Sequence, residues 1–341
     1  MTTGPSPAFR AFGMGIRVCV ELIVAGLAIA SCAAAVGAQG GRWNDRLDLL
    51  THFTPLWLVG GVVSLVAALL FMGRWRRWTF ASVALVAVIS SCALMAVDLK
   101  RLPERYAAAD PAQTVKVIAF NAGIWNGDYR GIARWVAAEN PDILVLPEGA
   151  KPLADAIRAE TSMWVFEGSG AFIATREKPL DERVAWDARF LAGGSTALSW
   201  VVLRGPDGVP FTVVGVHCGW PIPARAAWAD GQKITALLNT MDRSRTILAG
   251  DFNSTQWSFR QRIADAAFGL ERRDRMNLTW PARLPMLRGR SFPTPFLSID
   301  HIYAGSTWRT VSVTRGPKLG SDHYPLVAVL AWQRSSGVET P

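Results

Sequence analysis

Three long apolar runs before residue 98 constrain this chain more than any other feature. They read Ile16–Ala38, Pro55–Met72 and Thr79–Val97, and each approaches the roughly 20 residues a helix needs to cross the hydrocarbon core of a bilayer. Backbone in lipid must satisfy its own N–H and C=O groups, so such runs fold as helices. The expected organisation is a three-helix membrane anchor over residues 1–97, a polar tether over 98–112, a large domain over 113–334 and a short tail over 335–341. A cleaved signal peptide would explain the first run alone, but its length and the two further runs argue against that. Glu21 is costly inside the first run and is expected to face a partner helix or sit near an interface.

Charge placement predicts orientation. The stretch GRWRRW gathers Arg74, Arg76 and Arg77, whereas the loop 40–54 balances Arg42 and Arg46 with Asp45 and Asp48. Short cytoplasmic loops are enriched in Lys and Arg, so Arg74–Arg77 are expected inside, with Arg10 and Arg17. The path then runs in, out, in, out, and leaves the large domain on the extracytoplasmic side of a multi-pass cell-membrane protein. Trp57, Trp75 and Trp78 suit the aromatic belts at the membrane surfaces.

Seven arginines against three acidic residues precede Asp98, so of the net charge of +9 the large domain carries about +5. That is compatible with anionic ligands but shows no polybasic nucleic-acid stripe. Cys218 is the large domain's lone cysteine, so no disulfide forms within it, and a buried small hydrophobe is its expected role.

Beyond the tether, strand-like runs appear at Thr114–Ala122, Ile143–Pro147, Ala171–Thr175, Thr196–Leu203, Phe211–Val216, Thr246–Gly250, Leu297–Tyr303 and Leu326–Trp332. Helix-like stretches lie at Gly131–Glu139, Pro152–Glu160, Ala224–Met241 and Ser258–Phe268. A doubly wound parallel sheet is one solution. The RGPDGV turn at 204–209, which reads as a hairpin, and the strand-rich C-terminal third favour two stacked sheets flanked by helices. No glycine-rich dinucleotide or P-loop fingerprint is present.

Polar residues repeatedly interrupt the ends of these apolar runs. Asn121 ends one (VIAFNAG), Glu148 another (ILVLPEG), His217 the hairpin (VVGVHCG), and Asp251 with Asn253 a fourth (ILAGDFNS). Asp300 and His301 (SIDHIY) and Ser321, Asp322 and His323 (SDHYPL) follow. Any one of these reads as a turn or cap. Gathered on one rim, they supply the carboxylates, carboxamides and imidazoles that suit a hard divalent cation and a phosphate. Zinc favours closely spaced Cys and His, which are missing here, and no G-x-S-x-G elbow supports a serine hydrolase.

The ordered series N…E…H…GDFN…IDH…SDHYP resembles the endonuclease/exonuclease/phosphatase superfamily over about residues 115–330. The resemblance implies an α+β fold, a four-layer α/β/β/α sandwich, and a metal-dependent phosphodiesterase using Mg²⁺ or Mn²⁺. It implies Glu148 as principal metal ligand, with Asn121 and Asp322 as further metal residues. Asp251 would orient or deprotonate the attacking water, and Asn253 would hydrogen-bond the phosphoryl oxygens. His217 and His323 would contact the scissile phosphate, and Asp300 would orient His323. His301 falls where the family varies and is either functional or a structural neighbour of Asp300. Two motifs depart from better-known members: LPEG replaces a Gln-Glu pair, and HCGWP replaces a histidine followed by Asn or Leu. The segment from LTWP at 278–281 to IDH resembles bacterial membrane-anchored members. Trp220, Trp280, Arg283, Arg288 and Arg290 are candidate substrate-rim residues, with packing or solvation as their plainer role. The expected partners are the membrane and a phosphodiester, phospholipid-like or nucleic acid. A catalytically idle, membrane-tethered phosphate-binding scaffold is the rival reading.

Overall fold

The computed structural model describes residues 7–99, 110, 113–184, 197–222, 224–283 and 294–333. The chain divides into two compact units, Met1–Lys100 and Arg101–Pro341. The expected tail and most of the expected tether lie outside the described residues.

The first unit contains α1 (Pro7–Gln39), α2 (Asp45–His52), α3 (Thr54–Phe71) and α4 (Arg74–Leu99). Three of these helices are long and apolar enough to cross a membrane. They pack through small residues: Ala28, Ala68, Ala84 and Ala87 are fully buried, and a Cβ added at Gly61 would lie 3.1 Å from Ala87. Their outer faces expose Ile23, Val62 and Ile89. Close approach through small residues is the way helices associate when lipid removes the hydrophobic driving force between them. Glu21 is buried and its carboxylate meets Arg17 at 3.3 Å and Arg76 at 2.6 Å. The costly charge therefore has a partner helix, α4, as its position demanded. Two local expectations change. Arg74, Arg76 and Arg77 form the first turn of α4 rather than a loop. The loop 40–54 folds into α2, because the Asn44 side chain accepts from Arg46 N at 2.9 Å and Asp45 and Asp48 meet the helix dipole.

In the second unit, successive residues on a strand point to opposite faces, and that alternation builds four layers. β1 (Thr114–Ala119) turns Val117 toward the second sheet and Ile118 toward the helices. β8 (Thr246–Asp251) likewise sends Ile247 inward and Leu248 outward. The first sheet has strand order β11-β12-β1-β2-β4-β3, and the second β5-β6-β7-β8-β10-β9. The remaining strands are β2 (Ile143–Pro147), β3 (Trp164–Phe166), β4 (Ala171–Thr175), β5 (Asp181–Val184), β6 (Ala197–Arg204), β7 (Pro210–His217), β9 (Glu271–Arg272), β10 (Asp300–Ala304), β11 (Trp308–Arg315) and β12 (Leu326–Trp332). Helices α5 (Tyr129–Glu139) and α6 (Lys151–Glu160) cover the first sheet; α7 (Ala224–Leu238) and α8 (Phe259–Phe268) cover the second. The architecture is the α/β/β/α sandwich.

Each sheet has a parallel pair at its centre. β1 and β2 are parallel and joined through α5; β7 and β8 are parallel and joined through α7. The helices are delimited chemically: Asp128 caps α5 by accepting from Gly131 N at 3.0 Å, Ser258 caps α8, and left-handed Gly269 ends it. β6 and β7 form the hairpin expected around RGPDGV, closed at Arg204 and Pro210. Four strands were not legible. β5 (DERV) is a polar edge, β3 and β9 are very short, and β11 is an edge strand whose outward positions carry Arg309 and Arg315. β10 starts at Asp300 rather than Leu297, because Leu297 instead bridges Trp280.

Candidate functional site

The parallel pairs place the polar residues. In open α/β sheets, ligand sites form beyond the carboxyl ends of parallel strands. Asn121 and Glu148 follow β1 and β2; His217 and Asp251 end β7 and β8. Register does the rest within the second sheet: Asp251 lies opposite His217 on one side and opposite Asp300 on the other.

Asn121 binds the two sheets' contributions together. Its Nδ2 donates to Glu148 Oε1 at 3.1 Å and to Asp251 Oδ2 at 2.9 Å. Its Oδ1 accepts from Gly123 N at 3.0 Å, while Glu148 Oε2 accepts from Ile124 N at 3.0 Å. His217 Nε2 stands 3.6 Å from Glu148 Oε1 and 3.8 Å from Asp251 Oδ2. Two carboxylates thus share an amide and an imidazole. Asn253 N donates to Asp251 Oδ1 at 2.8 Å, and its Nδ2 donates to the Cys218 carbonyl at 2.8 Å.

His323 enters from the segment before β12. Its Nδ1 is 2.9 Å from Asp300 Oδ2, and its Nε2 is 3.7 Å from Asp251 Oδ2. Burial alone would push this imidazole down, but Asp300 and Asp251 outweigh it and lift the pKa to about 10. Asp251 moves the other way from an ordinary exposed carboxylate: burial raises it above the usual range, against the pull of His323. Ser321 fixes the segment, because its hydroxyl donates to the Asn121 carbonyl at 2.7 Å and accepts from His323 N at 3.0 Å.

Backbone conformation marks the same residues. Glu148 has φ +53° and Asn253 φ +48°, both left-handed. Asn tolerates that region; Glu adopts it only where surrounding structure holds it, a pattern concentrated at functional sites. Gly250 is required before Asp251, since at φ +144° an added Cβ would sit 2.0 Å from the Val216 carbonyl oxygen.

The remaining expected residues are spread around this cluster. Asp322 accepts from Trp280 Nε1 at 3.2 Å, and its carbonyl accepts from Ala282 N at 2.7 Å. Trp280 is thereby a structural tie. Arg283 is half-buried and Trp220 is exposed, three residues after His217. Arg288 and Arg290 lie outside the described residues. His301 does not join the cluster. It is fully buried, with Nδ1 2.7 Å from Asp274 Oδ2 and Nε2 2.8 Å from the Ser254 carbonyl. The sequence pointed to neither Asp274 nor the bracing role of Ser321. Asp274 lies in RRDRMN with no local signature, whereas a Ser two residues before a His that it braces is a recognisable local motif.

Which of these side chains suit a metal follows from their chemistry. Asp251, Asp300 and His323 offer atoms within 4.8 Å of one another. Within that trio His323 Nδ1 is already engaged by Asp300 Oδ2 at 2.9 Å, and its Nε2 faces Asp251 Oδ2 at 3.7 Å. Glu148 and Asp251 also offer hard oxygens, drawn together on the Asn121 amide nitrogen, and Glu148 is only half-buried, as suits an ion that keeps several waters.

A two-sheet sandwich whose strand ends assemble carboxylates, an amide and imidazoles in this way is that of a phosphoester hydrolase. The model of the Endonuclease/Exonuclease/phosphatase family matches residues 118–323, and the chain belongs to that family. Among solved structures it is similar to an endonuclease/exonuclease/phosphatase from Bacteroides vulgatus, at 16% identity and TM-score 0.53, covering 64% of this chain and 99% of that one. An endonuclease/exonuclease/phosphatase from Beutenbergia cavernae is similar at 20% identity and TM-score 0.50, covering 65% and 72%. A mannosyl-6-phosphatase from Bacteroides thetaiotaomicron is similar at 17% identity and TM-score 0.50, covering 64% and 100%. These likenesses concern the fold. No curated protein sequence matches the chain. The chain is a hydrolase acting on phosphate ester bonds.

Proposed function

We propose that the protein is a membrane-anchored, Mg²⁺- or Mn²⁺-dependent phosphodiesterase whose substrate is a membrane-resident phosphodiester. The observation that carries the reading is Asn121, whose single amide nitrogen is shared by Glu148 and Asp251 at 3.1 and 2.9 Å. That pair of carboxylates from two sheets would supply anionic oxygens to a divalent cation and a base to a water.

Glu148 would hold the ion, supported by Asn121, with Asp322 as a further anionic ligand. When bound, such an ion neutralises non-bridging phosphate oxygens and eases departure of the leaving group. Asp251 accepts a proton from the attacking water; burial makes it a stronger base than an exposed aspartate. His323, charged at neutral pH, directs Nε2–H toward the phosphoryl oxygens as negative charge grows there. Asp300 keeps that ring in place. Asn253 and His217 donate to the same oxygens from the second sheet.

Three apolar helices concentrate the enzyme at the bilayer, so membrane phosphodiesters meet it at high effective concentration while nucleic acids must diffuse in. The domain charge near +5 would attract DNA at low salt as well as anionic headgroups.

The test is a panel of substrates presented to the full chain in detergent: phospholipid in mixed micelles, duplex DNA, the soluble diester bis(p-nitrophenyl) phosphate, and its monoester. Phospholipid and soluble diester should turn over, chelator should stop both, and Asp251→Asn should lose activity on both. Rapid DNA cleavage with phospholipid untouched would transfer the assignment to a nuclease. Monoester hydrolysis alone would make it a phosphatase.

A further inference from the structure

Among the described residues of the second unit, the four most exposed large apolar side chains are Trp125 at 87%, Trp220 at 72%, Ile222 at 69% and Ile124 at 54%. Scattered apolar side chains on a surface need no explanation. These are not scattered. Ile124 and Trp125 lie on the loop between β1 and α5, and Trp220 and Ile222 on the loop between β7 and α7. Both loops issue from site residues, Asn121 and His217.

The two loops flank Glu148. Ile124 donates its own amide to Glu148 Oε2 at 3.0 Å, and His217 Nε2 approaches Glu148 Oε1 at 3.6 Å. Trp125 follows Ile124 directly, and Trp220 is three residues from His217, within about 11 Å along the chain. Each loop is tied down. Asn126 Nδ2 donates to the carbonyls of Ala122 and Leu319, and Gly219 N donates to Asp230 Oδ2 at 2.9 Å. The apolar side chains are thus presented to solvent by braced backbone.

We infer that Ile124, Trp125, Trp220 and Ile222 form a bilayer-binding surface that seats the catalytic mouth on a lipid leaflet. Chemistry selects this occupant. Indole is the side chain that membrane–water interfaces favour, with an apolar body and one N–H for the headgroup layer. Isoleucine beside each tryptophan adds apolar surface but offers nothing for bases to stack on, which counts against a nucleic-acid platform. The same chain carries three helices long and apolar enough to cross a membrane, so a bilayer is the apolar phase it meets. The inference rests on the lipid-substrate reading for its consequence, that a headgroup is taken directly from the leaflet, but its geometry stands apart from turnover.

Two measurements test it on the full chain in phosphatidylethanolamine/phosphatidylglycerol vesicles. The photoreactive residue p-benzoylphenylalanine replaces Trp125, Trp220 or, as a control, Leu180, which is 50% exposed, precedes β5 and bonds Val202, opposite Thr212 and five residues from His217 along β7. Lipid adducts at 125 and 220 and few at 180 are expected. Absence of adducts at 125 and 220, or equal labelling at all three, overturns the surface. The second measurement is the ratio of vesicle-lipid to bis(p-nitrophenyl) phosphate turnover. Trp125→Ala combined with Ile222→Ala should lower that ratio about tenfold or more, because two large side chains leave the bilayer. An unchanged ratio overturns the surface as a route to substrate. If the photoreactive variants label lipid at 125 and 220 yet the wild type cleaves only the soluble diester, the surface stands and the lipid-substrate reading fails.

Discussion

His323 holds Nδ1 at 2.9 Å from Asp300 Oδ2 while its Nε2 points to Asp251 Oδ2 at 3.7 Å, so one imidazole joins two carboxylates that lie opposite each other on neighbouring strands. The charge on that ring is a product of the pairing, and removing one partner should be visible in the pH profile. Asp300→Asn takes away a charge that raises His323, whose pKa stands at about 10. The alkaline limb of kcat should therefore move to lower pH, and kcat at neutral pH should fall by about 10²–10⁴-fold. A profile that loses amplitude without moving its alkaline limb would separate Asp300 from the protonation of His323.

Glu148 supplies the next expectation. Its carboxylate reaches Asn121, Ile124 N and His217, and Glu148→Gln preserves shape while removing the negative charge that a hard cation needs. Chelator should abolish wild-type turnover and Mg²⁺ or Mn²⁺ should restore it. The variant should need much higher ion concentrations, by at least about tenfold, for half-maximal activity. Titration of Mn²⁺ by electron paramagnetic resonance checks the same point without turnover. Equal Mn²⁺ affinity in both proteins would remove Glu148 from the metal site.

The contrast between these residues and His301 shows what the sequence could and could not convey. Asn121, Glu148, His217, Asp251 and Asn253 were legible because each ends an apolar run, and two parallel pairs bring such ends together. The two-sheet arrangement was legible from the hairpin at 204–209. His301 stands next to Asp300 in sequence, yet alternation along β10 turns it to the other face, where Asp274 and Ser254 receive it. Its partner is 27 residues away, and no local pattern announces such a contact. The edge strands β5 and β11 were missed for a related reason: half-solvated strands carry the polar residues that blur alternation.

That buried pair sets a stability prediction. Asp274 Oδ1 also accepts from Ile302 N at 3.0 Å, and Arg272 Nη1 stands 3.5 Å from Oδ2. Burial works against both charges, but His301 and Arg272 hold Asp274 below the usual carboxylate range, and Asp274 holds His301 above its ordinary value. The contribution of Asp274 is present above its unfolded pKa of about 4 and is lost as pH falls through its depressed folded value. That of His301 is present below about 6.5 and is lost as pH rises through its raised folded value. The pair therefore stabilises most between about pH 4 and 6.5. Asp274→Ala should cost about 3–5 kcal/mol in that window by leaving cations buried without their partner, and the gap from wild type should narrow on both sides. Unfolding in guanidinium at pH 3, 5.5 and 9, followed by near-ultraviolet circular dichroism, measures it. A gap independent of pH would mean that lost packing, not charge, is responsible.

The final prediction concerns the anchor. Arg74, Arg76 and Arg77 occupy the first turn of α4, and Arg76 is paired with Glu21 of α1 at 2.6 Å. The orientation rule counts Lys and Arg close to span ends and gives acidic residues little weight, so all three arginines oppose translocation, and Arg74 and Arg77 can be replaced without touching the Arg76–Glu21 pair. We propose that this end of α4 is cytoplasmic and that the second unit is exported. A reporter active only outside the cytoplasmic membrane should work when fused after Pro341 and fail when fused after Arg77. Replacing Arg74 and Arg77 together with Ala should weaken that asymmetry, and adding Lys to the stretch 40–44 in the same variant should weaken it further. Glu21→Gln should leave it intact, because the pair with Arg76 serves helix packing. Reporter activity after Arg77 and none after Pro341 in the wild type would invert the orientation and place the phosphoester hydrolase in the cytoplasm.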